Sequence, residues 1–304
     1  MSNRKKIPLI SVVITCYNYA EYVEKAIKSV LSQDYKDIEI IIVNDGSTDT
    51  SEAVIKKSIQ GIKRVIYHFQ ENSGSPSARN AGFKKSRGDY LLFLDADDVL
   101  EKNFISSSYE QSIIDDADIV YTNVRSFGEY KNLSEKLDFN PDLIYFNNFI
   151  SVTSLIKREV IATNQFDEKM NRLRADDWDF FLTAIEAGFK PTLNKKTHLN
   201  YRIQPKNQSR SKIEVQIKSY RHIYSKHRHK KPGINYALGH FDVVLNGLEI
   251  SLVENHRIQK ELSKVSGELE RAQEEIYLIK SSKKWRLIML YSKAIKRAKK
   301  AFKT

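Results

Sequence analysis

Three carboxylates within four residues, Asp95, Asp97 and Asp98, follow directly on the apolar run Tyr90-Leu91-Leu92-Phe93-Leu94. Such a run is too apolar for a half-exposed strand and reads as a central strand buried on both faces. Burying a strand and crowding like charge at its tip costs free energy twice. A hard divalent cation, Mg²⁺ or Mn²⁺, offsets that cost, because carboxylate oxygens suit it and it readily bridges them to a substrate's phosphates. A solvated acidic turn would give the same pattern. A second acidic pair, Asp176-Asp177, precedes Trp178, Phe181, Leu182 and Ile185, which fall on one helical face. Carboxylates in a helix's first turn are favoured by its dipole whatever else they do.

The elements that must position these groups alternate. Ile10 to Thr15 is β-branched and reads as a buried parallel strand, followed by Tyr17 and Asn18 in a loop. Glu21 to Gln33 is amphipathic, with Val23, Ala26, Ile27, Val30 and Leu31 on one face. Ile38 to Val43 is a second strand ending at Asn44-Asp45-Gly46, and Ser47 to Asp49 can cap a helix over 52–59. A third strand, Val65 to Phe69, precedes a short helix over 77–86 that carries Arg79. Alternation of this kind predicts an α/β fold with a mostly parallel sheet and helices on both faces. Ligands of such sheets bind at the carboxyl ends of the strands. Tyr17, Asn18, Asp45, Asp95, Ala96 and Asp97 all stand there in sequence.

Four stretches now carry a resemblance: Ile10-Ser-Val-Val-Ile-Thr-Cys-Tyr-Asn18, Val43-Asn-Asp-Gly-Ser-Thr-Asp49, Ser77-Ala-Arg-Asn-Ala-Gly82 and Leu94-Asp-Ala-Asp-Asp98. In order and spacing they resemble the successive motifs of glycosyltransferase family 2, over roughly residues 7 to 210. The resemblance implies the GT-A fold and an inverting transferase that uses a nucleotide-diphosphate sugar and a divalent cation, Mn²⁺ or Mg²⁺. It implies that Thr15 and Tyr17 hold the base, with Asn18 beside them and the Tyr17 ring against the base's face. Asp45 would accept a hydrogen bond from the base edge, the uracil N3–H for a UDP-sugar. Arg79 would lie near base and phosphates, Asp95 with Ala96 by the ribose, Asp97 on the metal, and Asp98 by the donor sugar. These side chains suit those roles: arginine a phosphate, an aromatic ring a planar base, a carboxylate a hard cation.

In the second half, Asp118 to Thr122 and Val152 to Ile156 read as strands, Lys157 to Ala162 as a helical turn, and the stretch from Glu101 to Asn140 shows weak periodicity. Gln165-Phe-Asp-Glu168 resembles the family's Gly-Phe-Asp-Glu turn, with Gln in place of Gly. The Asp176-Asp177 pair resembles the family's acidic pair before Trp. On that likeness Asp177 is the general base that takes the acceptor hydroxyl's proton, and Asp176 a supporting group. The metal and Arg79 would neutralise the leaving diphosphate, with no separate acid. His198-Leu-Asn-Tyr-Arg-Ile-Gln-Pro205 departs from a family segment that often reads Tyr-Arg-x-His, whose histidine can ligate the metal. Gln204 stands there instead, a weaker ligand for a transition metal. Arg202 reads either as a phosphate ligand or as a solvated side chain. Gln204 leaves room for a non-catalytic scaffold acting through a coiled coil, whereas Asp97 and Asp177 favour catalysis.

Composition bounds the rest. The 304 residues suffice for a large α/β domain with an appendage, and 41% hydrophobic content supports a packed core. One cysteine, Cys16, excludes a disulfide framework and is expected to pack. The N-terminal stretch does not read as a signal peptide and no run is long enough to span a membrane, which together predict a cytoplasmic protein. The net charge of +12 is uneven: residues 195–231 carry +11, residues 281–304 carry nine Lys/Arg and no acid, and the remainder is net −8. An acidic body with two basic segments is not a nucleic-acid binder's pattern. Ile258, Leu262, Val265, Leu269, Ala272, Ile276 and Ile279 fall at heptad a/d spacing, as in a coiled coil that dimerises over 258–279 or docks a partner, or a helix folded on the body. Gly267 inside it weakens a helix by ~1 kcal/mol. Residues 281–304, with Trp285, Arg286, Lys293, Lys296 and Arg297, read as a cationic amphipathic helix suited to an anionic membrane surface. Attachment to the inner face of the cell membrane would suit a lipid-linked or polysaccharide acceptor. The expected organisation is a transferase domain over 7–232 (donor half 7–100, acceptor half 101–232), a helical extension over 233–280 and a basic tail over 281–304.

Overall fold

The computed structural model describes residues 7–128, 131–173, 175–204, 213–227, 257–268, 270–271 and 273–274. The chain divides into two compact units, Met1–Asp242 and Val243–Thr304.

The first unit is built on one mixed sheet. Its first half alternates: β1 (Ile10–Cys16), α1 (Val23–Leu31), β2 (Ile38–Asp45), α2 (Ser51–Ser58), β3 (Val65–Gln70), α3 (Ser75–Lys85) and β4 (Tyr90–Asp95). Then follow β5 (Val99–Leu100), α4 (Phe104–Ile114), β6 (Ile119–Gly128), β7 (Asn132–Ser134), a 3₁₀ turn over Leu143–Tyr145, β8 (Leu155–Lys157) and α5 (Arg158–Thr163). A second 3₁₀ turn over Glu168–Arg172 leads to α6 (Asp176–Glu186), β9 (Pro191–Ile203) and α7 (Ile213–His227). The strands lie in the order β3-β2-β1-β4-β8-β6-β9-β5, with β7 on the edge of β6. β3, β2, β1 and β4 are mutually parallel, and β8 joins them antiparallel to β4.

The central strands are as apolar as the sequence requires. Val12, Val13, Ile14, Ile40, Ile41, Ile42, Leu91, Leu92, Phe93 and Leu94 are all inaccessible to solvent. Each such side chain contributes about 1.5–3 kcal/mol of burial free energy. α1 sets Val23, Ala26, Ile27 and Val30 against the sheet. α3 begins earlier than its polar composition suggests, because Pro76 in the first turn costs no hydrogen bond there. Cys16 packs in the core, and burial pushes its thiol up to about 11.

Two elements depart from the expected pattern. α4 occupies a stretch of weak periodicity because serines fill its inner face: Ser107, Ser108 and Ser112 are buried beside Phe104 and Ile105. β8 covers only the last residues of the expected Val152–Ile156 strand, and Ser151 to Thr153 turn instead into the cleft described below.

In the second unit the described residues 257–268 are helical, and Ile258, Leu262 and Val265 are exposed, as a free a/d stripe would be. Leu269, Ala272, Ile276 and Ile279 of the heptad pattern lie outside the described residues. So do Trp285, Arg286, Lys293, Lys296 and Arg297 of the basic tail. No helix among the described residues is long and apolar enough to cross a membrane.

Candidate active site

The parallel strands deliver their polar ends to one edge. β1 and β4 pair in register with Thr15 opposite Asp95, and the Thr15 hydroxyl donates to Asp95 Oδ1 at 3.1 Å. The Ala96 amide continues the pairing by donating to the Thr15 carbonyl at 3.0 Å. Thr15 and Asp95, together with Tyr17, Asp45, Arg79, Asp97, Asp98, Asp176 and Asp177, line a single cleft of about 480 Å³, whereas Ala96 is fully buried and lies outside its lining. Asn18 and Gln204, also expected at the site, lie outside its lining, in an adjoining groove with Tyr22 and Asp49.

Asp45 is the hub of the next loop. Its Oδ1 accepts from Gln70 Nε2 at 2.8 Å and the Ser73 amide at 2.9 Å, and its Oδ2 accepts from the Gly74 amide at 2.9 Å. A carboxylate has about four acceptor positions, so one remains for a ligand. Gly74 caps α3 with φ of +87°, and a Cβ there would meet Asn171 Oδ1 at 1.7 Å. Asn18 brackets two loops. In the left-handed region at φ +56°, it accepts from the Thr48 and Asp49 amides at 2.7 and 3.2 Å, while its own amide donates to Ser47 Oγ. Tyr17 is 40% exposed, with its ring at the cleft.

Arg79 joins the two acidic groups. It is 5% exposed, lies over the Phe166 ring, and donates to Asp95 Oδ1 at 3.1 Å and to Asp176 Oδ2. Its buried Nε has no hydrogen-bond partner, which leaves one donor of the guanidinium unspent. The Phe166 turn is held from the same helix by Asn80, which donates to the Phe166 carbonyl and accepts from its amide.

The acidic strand end crowds three carboxylates together. Burial, then Asp95, pushes Asp97 up to about 6, and burial with Asp97 raises Asp98 well above the ordinary carboxylate range. Asp97 Oδ2 accepts from the Gln204 amide at 2.9 Å, so the side chain in the usual histidine's place does reach the carboxylate. Arg202 is partly buried and held by its neighbours, not solvated. Its guanidinium is sandwiched between the Tyr22 and Phe127 rings at 4.4 and 4.3 Å, its Nε donates to the Asp97 carbonyl, and its amide donates to Asp98 Oδ1. It clamps the acidic turn. Among the described residues no group of three His, Cys, Asp or Glu side chains forms a protein cage for a metal. Asp97 with the neutral Gln204 suits instead a hard cation that arrives with a diphosphate and takes most of its oxygens from it.

The Asp176-Asp177 pair opens α6. Asp176 is the member paired to Arg79; Asp177 Oδ2 accepts from Asn148 at 3.0 Å and its Oδ1 from the Trp178 amide at 2.8 Å. Burial, then Asp176, pushes Asp177 up to about 6. Burial raises Asp176 as well, with Arg79 opposing the rise; a carboxylate near 6 suits a general base. Residues that sequence patterning did not single out complete the walls: Tyr19, Asn72, Ser151, Thr153, Asn171 and Tyr201. Tyr201 lies near the end of β9, Asn171 in the second 3₁₀ turn and the others in loops, and only the fold brings them to the cleft.

Comparison with known proteins follows this geometry. The model of the family described as Glycosyl transferase family 2 matches residues 11–190. A glycosyltransferase of Haemophilus influenzae is 32% identical over 188 residues, 59% of this chain and 73% of that protein. The chondroitin synthase of Pasteurella multocida is 30% identical over 253 residues, 79% of this chain but 25% of that protein. The glycosyltransferase GlyA of Streptococcus pneumoniae is 38% identical over 124 residues, 41% of this chain, and the match spans 18% of its length. Of solved structures, Staphylococcus aureus TarS in complex with UDP-GlcNAc superposes with a TM-score of 0.63 at 17% identity, covering 73% of this chain and 66% of that one. A mannosyltransferase of Pyrobaculum calidifontis, in complex with GDP-Man and Mn²⁺, gives 0.57 at 14% identity, covering 77% and 69%. At these identities the structural likeness establishes the fold.

Proposed function

The chain belongs to glycosyl transferase family 2, and from that premise we propose an inverting glycosyltransferase that moves a sugar from a UDP-sugar to a hydroxyl of a polysaccharide or lipid-linked glycan. The observation that carries this is the single cleft uniting a phosphate-type arginine, a crowded acidic turn and a buried carboxylate near neutrality. A relative named for chondroitin synthesis favours a polysaccharide product, and a neighbour holding UDP-GlcNAc favours uridine.

The nucleotide lies along the strand ends. Tyr17 covers the base, Thr15 shapes its pocket, Asn18 braces the loop beside it from the adjoining groove, and the last acceptor position of Asp45 takes the base N–H. Asp95 and Ala96 face the ribose, and Asp98 the donor sugar. A bound Mn²⁺ or Mg²⁺ on Asp97, with Gln204 beside it, would supply charge neutralisation to the leaving diphosphate. Arg79 adds a fixed positive charge there. Asp177 takes the acceptor's hydroxyl proton as that oxygen forms its bond to the anomeric carbon. The carbon–oxygen bond to the diphosphate breaks on the opposite face, its electron pair leaves with the diphosphate, and the configuration inverts. Asp176, tied to Arg79, orients the pair. The basic tail over 281–304 would hold the protein on an anionic inner membrane face, and the heptads over 258–279 would pair two copies.

The test is release of nucleoside diphosphate from a panel of nucleotide sugars with Mn²⁺ or Mg²⁺. Turnover with one donor, lost with chelator and in Asp97→Asn, is expected. A chain that binds no nucleotide sugar, or an Asp97→Asn variant indistinguishable from the parent, would leave the non-catalytic scaffold as the better reading.

A further inference from the structure

Behind the acidic pair lies a buried ionic cluster that the reaction does not use. α7 packs along α6: Ser219 Oγ donates to the Leu173 carbonyl, and the Trp178 ring meets Tyr220 and Tyr224 nearly edge-on at 5.2 and 6.1 Å. At the end of α7, His227 is 2% exposed. Its Nε2 is 2.9 Å from Asp179 Oδ1, and its Nδ1 is 3.0 Å from Glu186 Oε1, the latter off the hydrogen-bond axis. Asp179 and Glu186 lie two turns apart on one face of α6, so one imidazole spans most of that helix. Asp179 is two residues beyond Asp177, in the same first turn.

Other charged and titratable groups among the described residues face this cluster. Lys226 Nζ, on α7, is 2.7 Å from Asp179 Oδ2 and 3.7 Å from Asp167 Oδ2, before the second 3₁₀ turn. His222 is 4.0 Å from Asp167 Oδ2, and the Tyr145 hydroxyl donates to Glu186 Oε1 at 3.2 Å. Among the described residues, Lys226 by itself does not balance both Asp179 and Glu186. An imidazolium at His227 can, because its charge lies within 3.0 Å of both carboxylates and its Nε2–H donates to Asp179.

We propose that His227 is a positioning residue for the transfer reaction, clamping α6 from behind so that Asp177 is held at a fixed place in the cleft. The proposal rests on the reading of Asp177 as the base. The two carboxylates raise the His227 pKa against the opposing effect of burial. A histidine whose charged form is favoured by folding contributes its full stabilisation below the ordinary histidine value of about 6.5 and loses it as pH rises through the higher folded value. The clamp is therefore closed in acid and loosens on the alkaline side.

The experiment uses the full chain. Hydrogen exchange at the amides of residues 176–179, nucleotide affinity and the pH dependence of kcat are measured for the parent, His227→Gln and Glu186→Gln. In His227→Gln, exchange is expected to rise at least tenfold and kcat to fall at least tenfold, with nucleotide affinity within twofold of the parent. Glu186→Gln removes one of the two charges that hold the proton, so the alkaline fall of kcat should move at least one pH unit toward acid. Unchanged kcat and exchange in His227→Gln, or kcat and nucleotide affinity falling together, would overturn the clamp. Should His227→Gln fail to fold, an unmoved alkaline limb in Glu186→Gln would do the same. If Asp177→Asn keeps full kcat, the base reading fails, while exchange at residues 176–179 still decides whether His227 holds the helix.

Discussion

At the scale of single residues, the two members of the acidic pair are chemically distinct although adjacent. Asp176 pairs with Arg79 while burial raises it, and Asp177, buried and set beside a like charge, is pushed up to about 6. Replacing Asp177 with Asn should lower kcat by about 10²–10⁴-fold, the usual worth of a general base, with little change in donor KM, in steady-state kinetics. Asp176→Asn should instead weaken nucleotide affinity as well, since it releases Arg79; the reverse ranking would exchange the two roles. The acid limb follows from the same carboxylate. A base works deprotonated, so kcat should fall about tenfold per pH unit below about 6, the value to which burial raises Asp177. A profile of kcat that stays flat down to the ordinary carboxylate range would show that burial does not tune this group.

At the scale of elements, the site depends on how loops are tied rather than on the strands alone. The 70–74 loop is fixed by three hydrogen bonds to Asp45, and its last residue takes a conformation that side chains resist. Gly74→Ala should cost on the order of 1–3 kcal/mol, read by denaturant unfolding, and should weaken nucleotide binding by freeing Asp45. In Gly74→Ala combined with Asn171→Ala the collision disappears but the backbone strain remains, so recovery should be partial; full recovery would mean that the φ value is not what demands glycine. The acidic turn is tied in the same manner, by Arg202 held between Tyr22 and Phe127. Lysine cannot stack as a planar group or keep the Nε bond, which explains why an arginine occupies this place.

At the scale of the whole molecule, the catalytic unit and the C-terminal unit are separable in composition and in contacts. A chain ending at Asp242 is expected to unfold in one cooperative step and to bind the nucleotide donor as the full chain does. It should lose retention on anionic vesicles, measured by co-sedimentation at low and high salt. Vesicle binding that survives the truncation would move the membrane contact to the first unit. The sequence alone determined the β1 to β4 alternation and which residues stand at strand ends, because buried parallel strands must be continuously apolar and their polar ends conspicuous. It also located the Asp176-Asp177 pair, through its place before an apolar helical face. It missed α4, whose inner face is serine, and it overextended the strand before Lys157. Only the tertiary structure decided that Arg79 reaches Asp176, that Arg202 grips the acidic turn and that Asn148 and Asn171 join the site. Those contacts link residues far apart along the chain, where no periodicity operates, and they depend on side-chain reach and burial that exist only once the sheet has closed on its helices.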